Sequence, residues 1–235
     1  MPVAADLKRT PLLRDTASRL RVKVCCIASI EEAAMAIDAG ADALGLVSAM
    51  PSGPGVIADA DITMIARWIE ARAASVLLTS RQSVGAIEAQ LDEHQPDVLQ
   101  IVDAISDGEL ALLRVRHPDL VLMPVVHVTG PDSIDEAMRL AANADAILLD
   151  SGNPLAAVKE LGGTGRVHDW RLSCAIRESL GVPLFLAGGL RRENVAEAVA
   201  LVQPFGVDVC SGVRREGRLD RDLLSAFIAE ARSAS

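Results

Sequence analysis

The sequence predicts a single (β/α)8 barrel, an α/β fold of the TIM type, over residues 21–235, preceded by an N-terminal extension over residues 1–20. Three observations carry this. Short β-rich runs alternate with helical patterns, beginning with a strand and ending with a helix, with no long linker between them. The chain has 235 residues, and such barrels take about 250, or about 200 when compact. Glycine-rich segments follow one another in the last third, at Gly162–Gly165, Gly188–Gly189 and Gly206–Gly212. That is where a barrel grips phosphate through backbone amides after strands 7 and 8.

The elements follow in order. Strands are predicted at Val22–Cys26, Ala43–Val47, Ser75–Leu78, Val98–Val102, Leu120–Val128, Ala146–Leu149, Val182–Leu186 and Gly206–Val209. Between them lie helical patterns. Ser29-Ile30-Glu31-Glu32 is a capping box ahead of Ala33–Ala39, and Gly40 stops that helix. Further helices are predicted at Asp59–Ala73, Ser83–Glu93, Asp107–Arg116, Ser133–Ala142, Asp169–Leu180, Arg192–Leu201 and Arg221–Ala231. The strands read as continuous apolar runs, as in a parallel sheet covered on both faces. An open doubly wound sheet uses the same alphabet, but eight units favour closure.

Composition narrows the function. Hydrophobic residues make up 50% and aromatics only 2%, so the core is built from Ala, Val, Leu and Ile. A formal net charge of −9 argues against nucleic acid and anionic membranes as partners. No apolar run reaches the roughly 18 residues of a membrane span. The first 20 residues lack the apolar core of a signal peptide. Four cysteines in a chain of this length do not make a disulfide framework, and they read as reduced thiols in a cytoplasm. Monomer and homodimer are both compatible with the sequence.

A barrel places its active site at the C-terminal ends of its strands. There stand Cys25 and Cys26 after strand 1, Ser48 and the loop Ser52–Gly55 after strand 2, and Arg81 after strand 3. Gln100 and Asp103 follow on strand 4, His127 on strand 5, and Asp150 on strand 6. Strands 7 and 8 offer Gly188, Gly189, Ser211 and Gly212. Ionisable groups thus occupy one side of the mouth and bare backbone the other, which is an anion site without charged side chains.

These residues carry a resemblance. Lys23-Val24-Cys25, Ala39–Gly45, Leu148–Ser151 with Gly162–Gly165 and Asp169-Trp170, Leu186–Leu190 with Glu193–Val195, and Gly206–Val213 resemble motifs of the phosphoribosylanthranilate isomerase family of tryptophan biosynthesis. The resemblance runs from about Val22 to the last helix and is most specific after Ala146. It implies an Amadori rearrangement of a phosphorylated aminoaldose to an aminoketose, with no cofactor and no metal. It implies Cys25 as general base and Asp150 as general acid. Gly163, Gly165, Gly188, Gly189, Ser211 and Gly212 would hold the phosphate, and Lys23, Arg81, Gln100, Asp103 and His127 would line the substrate pocket. Lys23, two residues before Cys25 on one strand, faces the same way.

Other residues have plainer readings. Cys26 replaces the family's glycine and, as a strand neighbour of Cys25, should point away and be inert. Asp208 reads as structural, Cys174 as helix packing, and Cys210 as a substitute for a small serine. The chain also departs from the family. The arginine that holds the anthranilate carboxylate after strand 2 is missing from Ser52-Gly53-Pro54-Gly55, and Arg214 stands where the family has glutamate. Arg81 is the nearest replacement by strand order, and an arginine at position 55 should restore binding in part. Two alternatives stay open: the same chemistry on another phosphorylated aminosugar, and a non-catalytic sugar-phosphate-binding paralogue.

Overall fold

The computed structural model describes residues 12–13, 19–152 and 168–235. Eight parallel strands close into a barrel, each hydrogen-bonded to the next and β8 back to β1. They are β1 (Arg21–Val24), β2 (Ala43–Val47), β3 (Ala74–Thr79), β4 (Val98–Ile101), β5 (Val121–His127), β6 (Ile147–Asp150), β7 (Leu184–Leu186) and β8 (Gly206–Val209). Helices α1 (Ile30–Asp38), α2 (Asp59–Ile69), α3 (Val84–His94), α4 (Asp107–Arg116), α5 (Ser133–Ala141), α6 (Trp170–Ser179), α7 (Arg192–Val202) and α8 (Arg221–Ser233) alternate with them. No helix among the described residues is long and apolar enough to cross a membrane.

The elements match the sequence reading with instructive exceptions. The first strand ends at Val24 rather than Cys26, because Cys26 stands at φ 63, outside the extended region. The second helix ends at Ile69, because Ala71 takes φ 62 and turns the chain four residues early. A two-stranded hairpin, β9 (Arg214–Arg215) with β10 (Arg218–Leu219), was not anticipated.

Period-2 alternation splits the core into two shells. Val22, Val24, Leu44, Leu46, Leu77 and Leu99 face the helices. Ala43, Val76, Val98, Met123, Leu148 and Phe185 fill the barrel interior. Leu12 and Leu13 join the interior shell and are 1% and 4% exposed. Leu12 also accepts a hydrogen bond through its carbonyl from Arg21 Nε at 3.1 Å. This part of the extension therefore packs at the floor of the barrel, away from the mouth.

The same floor carries a repeated device. An aspartate just before each of β2, β4 and β6 turns back to the preceding strand. Asp42 accepts from the Val22 amide at 2.8 Å, and its own amide donates to the Val22 carbonyl. Asp97 does the same with Ser75, and Asp145 with Leu122. Each closes a strand start that would otherwise leave a buried N–H unpaired. Asp42 additionally pairs with Arg19 and Arg232.

At the other end, Glu32 locks α1 to the closing hairpin. Ser29 Oγ accepts from the Glu32 amide at 3.2 Å, as a capping box requires. The Glu32 carboxylate turns to the Ala28 amide, the Leu219 amide and both terminal nitrogens of Arg214, at 3.0 to 3.1 Å. Burial works to raise this carboxyl, but Arg214 and the two amides outweigh it and hold it below its ordinary 4.5.

Two expected outcomes follow from these contacts. Asp42→Ala strands the Val22 amide, at a residue with no exposure. It should lower stability by about 1–3 kcal/mol, read as a lower urea midpoint with an unchanged slope. Glu32→Gln should lower the melting temperature at neutral pH by about 3–6 °C. A carboxyl held low on folding stabilises above its ordinary value and loses that contribution as pH falls through the lowered one. The gap between wild type and Glu32→Gln should therefore close below pH 4.5. A gap that widens in acid would show that Glu32 is not stabilising as a carboxylate.

Candidate active site

The barrel mouth opens into a cleft of about 630 Å3, counted out to solvent. Cys25, Gln100, Asp150, Gly188, Gly189 and Ser211 line it, all six anticipated as site residues from the sequence.

Cys25 follows directly on β1, held by its amide donating to the Val209 carbonyl at 2.8 Å. It has room because Gly45 stands beside it. A Cβ at Gly45 would lie 3.0 Å from Cys25 Sγ and 3.1 Å from its Cα. Lys23 sits one inward position deeper, with no exposure, and its Nζ donates to Asp208 Oδ1 at 2.9 Å. The two are directly paired in register across β1 and β8. Burial works against the ammonium, but the Asp208 carboxylate outweighs it and holds Lys23 above its ordinary 10.5. Asp208 is pushed up by burial, against the pull of Lys23 and reinforced by Asp150. Read from sequence as structural, Asp208 also lines the cleft.

Asp150 ends β6, separated from Cys25 by β7 and β8 around the barrel. Its Oδ1 accepts from the Ser151 amide at 2.7 Å, which fixes the carboxylate's orientation. His168 stands near it with Nε2 against Ser173 Oγ at 2.7 Å. Burial holds His168 below its ordinary value, against the opposing charges of Asp150 and Asp169. Sequence reading passed over His168, since a histidine before a helix cap carries no motif.

Between the two carboxylate-bearing strands the wall is glycine. Gly188 and Gly189 stand at φ 86 and 62, a region that glycine adopts without the strain other residues incur. A Cβ at Gly188 would lie 3.0 Å from Ser151 Oγ and 3.1 Å from His168 Nδ1. A Cβ at Gly212 would lie 2.1 Å from the Leu190 carbonyl oxygen. Gly163 and Gly165 lie outside the described residues.

The remaining pocket residues divide. Gln100 is 3% exposed and lines the cleft, and its Oε1 has no partner among the described residues. Asp103 and His127 are buried but outside the lining: Asp103 Oδ1 accepts from the Ala104 amide, and His127 Nε2 lies 3.0 Å from the Val102 carbonyl. Arg81 does not reach the cleft. It is exposed and borders a separate depression with Ala49, Asp59 and Gln90. Strand order set it near the mouth, but its loop turns outward behind Thr79, whose Oγ1 accepts from the Arg81 amide.

Cys26 corrects another expectation. The left-handed backbone at Cys26 breaks the alternation with Cys25, so its side chain enters the cleft instead of pointing away. It packs on Gly55, where an added Cβ would lie 2.4 Å from Cys26 Cβ. Gly55 itself has φ 80. A side chain at 55 is thus excluded while Cys26 is present, and an arginine there cannot by itself supply a clamp. Arg214 lies close by, donating to the Cys25 and Cys26 carbonyls at 3.3 and 2.5 Å.

Known proteins resemble this chain along most of its length. The family described as N-(5'phosphoribosyl)anthranilate (PRA) isomerase matches residues 22–230. N-(5'-phosphoribosyl)anthranilate isomerase of Haloarcula marismortui is 36% identical over 216 residues, covering 91% of this chain and 97% of that one. The Natronomonas pharaonis protein of the same name is 37% identical over 213 residues, covering 90% and 97%. Among solved structures, phosphoribosyl anthranilate isomerase of Thermotoga maritima superposes with a TM-score of 0.78 at 29% identity, covering 91% of this chain and 99% of that one. Family match, relatives and barrel superposition together place this chain in the phosphoribosylanthranilate isomerase family.

Proposed function

We propose that this chain isomerises N-(5'-phosphoribosyl)anthranilate, with Asp150 as general acid and Cys25 as general base. The observation that carries the reading is the placement of both groups on one cleft with a glycine wall between them. Asp150 delivers a proton to the ribose ring oxygen, and the ring opens to a protonated Schiff base. Cys25, as thiolate, then takes the proton from C2. The electron pair flows into the imine, and the resulting enolamine tautomerises to the aminoketose. The loops at Gly188–Gly189 and Ser211–Gly212 hold the phosphate through backbone amides at the two strands where barrels do so. The relatives' names support the substrate, as does a neighbouring isomerase at 27% identity solved with a reduced carboxyphenylamino-deoxyribulose phosphate.

A second reading has an observation in its favour. No lysine or arginine is among the described residues lining the cleft, so the anthranilate carboxylate has no cationic partner there. An aminoaldose phosphate without that carboxylate suits such a wall.

Kinetics separate these readings. Cys25→Ala and Asp150→Asn should each reduce turnover by at least about 10²-fold with folding retained. Wild-type turnover surviving both changes would remove the assignment. For the carboxylate, Gly55→Arg alone should damage the loop, because its Cβ meets Cys26. Combined with Cys26→Gly it should lower KM for phosphoribosylanthranilate by at least about tenfold, the worth of one charge-assisted hydrogen bond. An unchanged KM in the folded double variant would mean that the carboxylate is held elsewhere. Inactivity of every form towards phosphoribosylanthranilate, with turnover of a carboxylate-free analogue, would favour the second reading.

A further inference from the structure

Two thiols that the isomerisation does not use meet across the seam between β1 and β8. Cys26 Sγ lies 2.9 Å from Cys210 Sγ, and both side chains line the cleft. Neither belongs to a disulfide. Sulfurs in a disulfide stand about 2.05 Å apart, so bond formation asks for a movement of less than about 1 Å.

Both side chains pack on the barrel's interior shell. Cys26 holds a side chain at φ 63, where a glycine would sit without strain, and directs it towards Cys210 and the Pro54 carbonyl, 3.5 Å away. The pair is also polarised. The hydrogen bond shared with Cys26 pulls Cys210 below the ordinary thiol range, and the charge of Arg214 adds to this against the cost of burial. The same shared proton pushes Cys26 up. Of the two, Cys210 is thereby the more acidic thiol.

We propose that Cys26 and Cys210 form an oxidation site at the rim of the cleft, which takes a hydroperoxide and closes as a disulfide between the ends of β1 and β8. The Cys210 thiolate attacks a peroxide oxygen, the O–O bond breaks, and hydroxide leaves, giving a sulfenic acid at Cys210. The Cys26 sulfur then attacks that sulfur. The S–O bond breaks, the hydroxyl leaves with the Cys26 proton as water, and the S–S bond forms. The hydroxide takes up the proton that Cys210 gave up, so two thiols lose two electrons and hydrogen peroxide is reduced to two waters. The bond joins the residue after Cys25 to the residue before Ser211, so it re-spaces the base against the phosphate loop. A dithiol reverses it by exchange.

The test treats the purified chain with hydrogen peroxide, blocks the remaining thiols with a maleimide and maps the peptides. The expected map shows a Cys26–Cys210 cross-link with Cys25 and Cys174 alkylated. Turnover should fall by at least about tenfold and return with dithiothreitol. Cys210→Ser should form no such cross-link and lose the reversible part of the inactivation, and Cys26→Gly provides the same check from the other side. The site is overturned if Cys26 and Cys210 are both alkylated after treatment, or if the cross-link joins Cys25 instead. Equal reversible inactivation in the variants also overturns it, and a cross-link that leaves turnover unchanged overturns its coupling to the cleft. The peptide map needs no substrate, so it stands or falls apart from the proposed reaction.

Discussion

A lysine ammonium with no exposure must be paired, and in this barrel its partner comes from the other end of the chain. Lys23 and Asp208 are 185 residues apart and face each other across the seam where β8 closes on β1. Removing an ion from water costs several kcal/mol, roughly, and the cost is recovered only with good geometry. An open sheet would leave both groups stranded. The pair therefore ties closure of the barrel to the placement of charge directly beneath Cys25. Asp208 feels both Lys23 and Asp150, so it links the thiol side of the mouth to the carboxylate side.

The two ends of the barrel divide the labour. The floor is closed by Asp42, Asp97 and Asp145, each satisfying a strand start, and by Leu12 and Leu13 packed in the interior shell. These contacts have no view of the cleft. Positive φ occurs at both ends: at Gly40, Ala71, Gln95 and Gln203 where helices lead into strands at the floor, and at Cys26, Gly55, Gly188 and Gly189 at the mouth. The Glu32–Arg214 lock works at the mouth, bracing the carbonyls of Cys25 and Cys26 from behind.

The fold was legible in the sequence because alternation and strand-length apolar runs are local signals. Cys25, Asp150, Gln100, Gly188, Gly189 and Ser211 were legible as cleft residues because strand ends are countable. What counting misses is direction. Cys26 entered the cleft because one residue at φ 63 breaks a period of two, and nothing local announces that angle. Gly55 was read as an empty place for an arginine, whereas it is the space that Cys26 fills. Arg81 had the right strand and the wrong side of its loop. Asp208 and Lys23 could each be seen, but their pairing depends on closure across 185 residues. Cys210 read as a serine substitute until its neighbour across the seam was known.

The proposed isomerisation needs a thiol and a carboxylate that meet one sugar from two sides. Its most direct test is a crystal structure with a reduced, non-isomerisable phosphoribosylanthranilate analogue. The phosphate should lie against the amides of Gly188, Gly189, Ser211 and Gly212. Cys25 Sγ should stand about 3–3.5 Å from the carbon corresponding to C2, the separation of a near-attack geometry. Asp150 should lie within hydrogen-bond reach of the oxygen derived from the ribose ring. A ligand seated with its phosphate elsewhere, or with Cys25 and Asp150 on the same face of the sugar chain, would contradict the account.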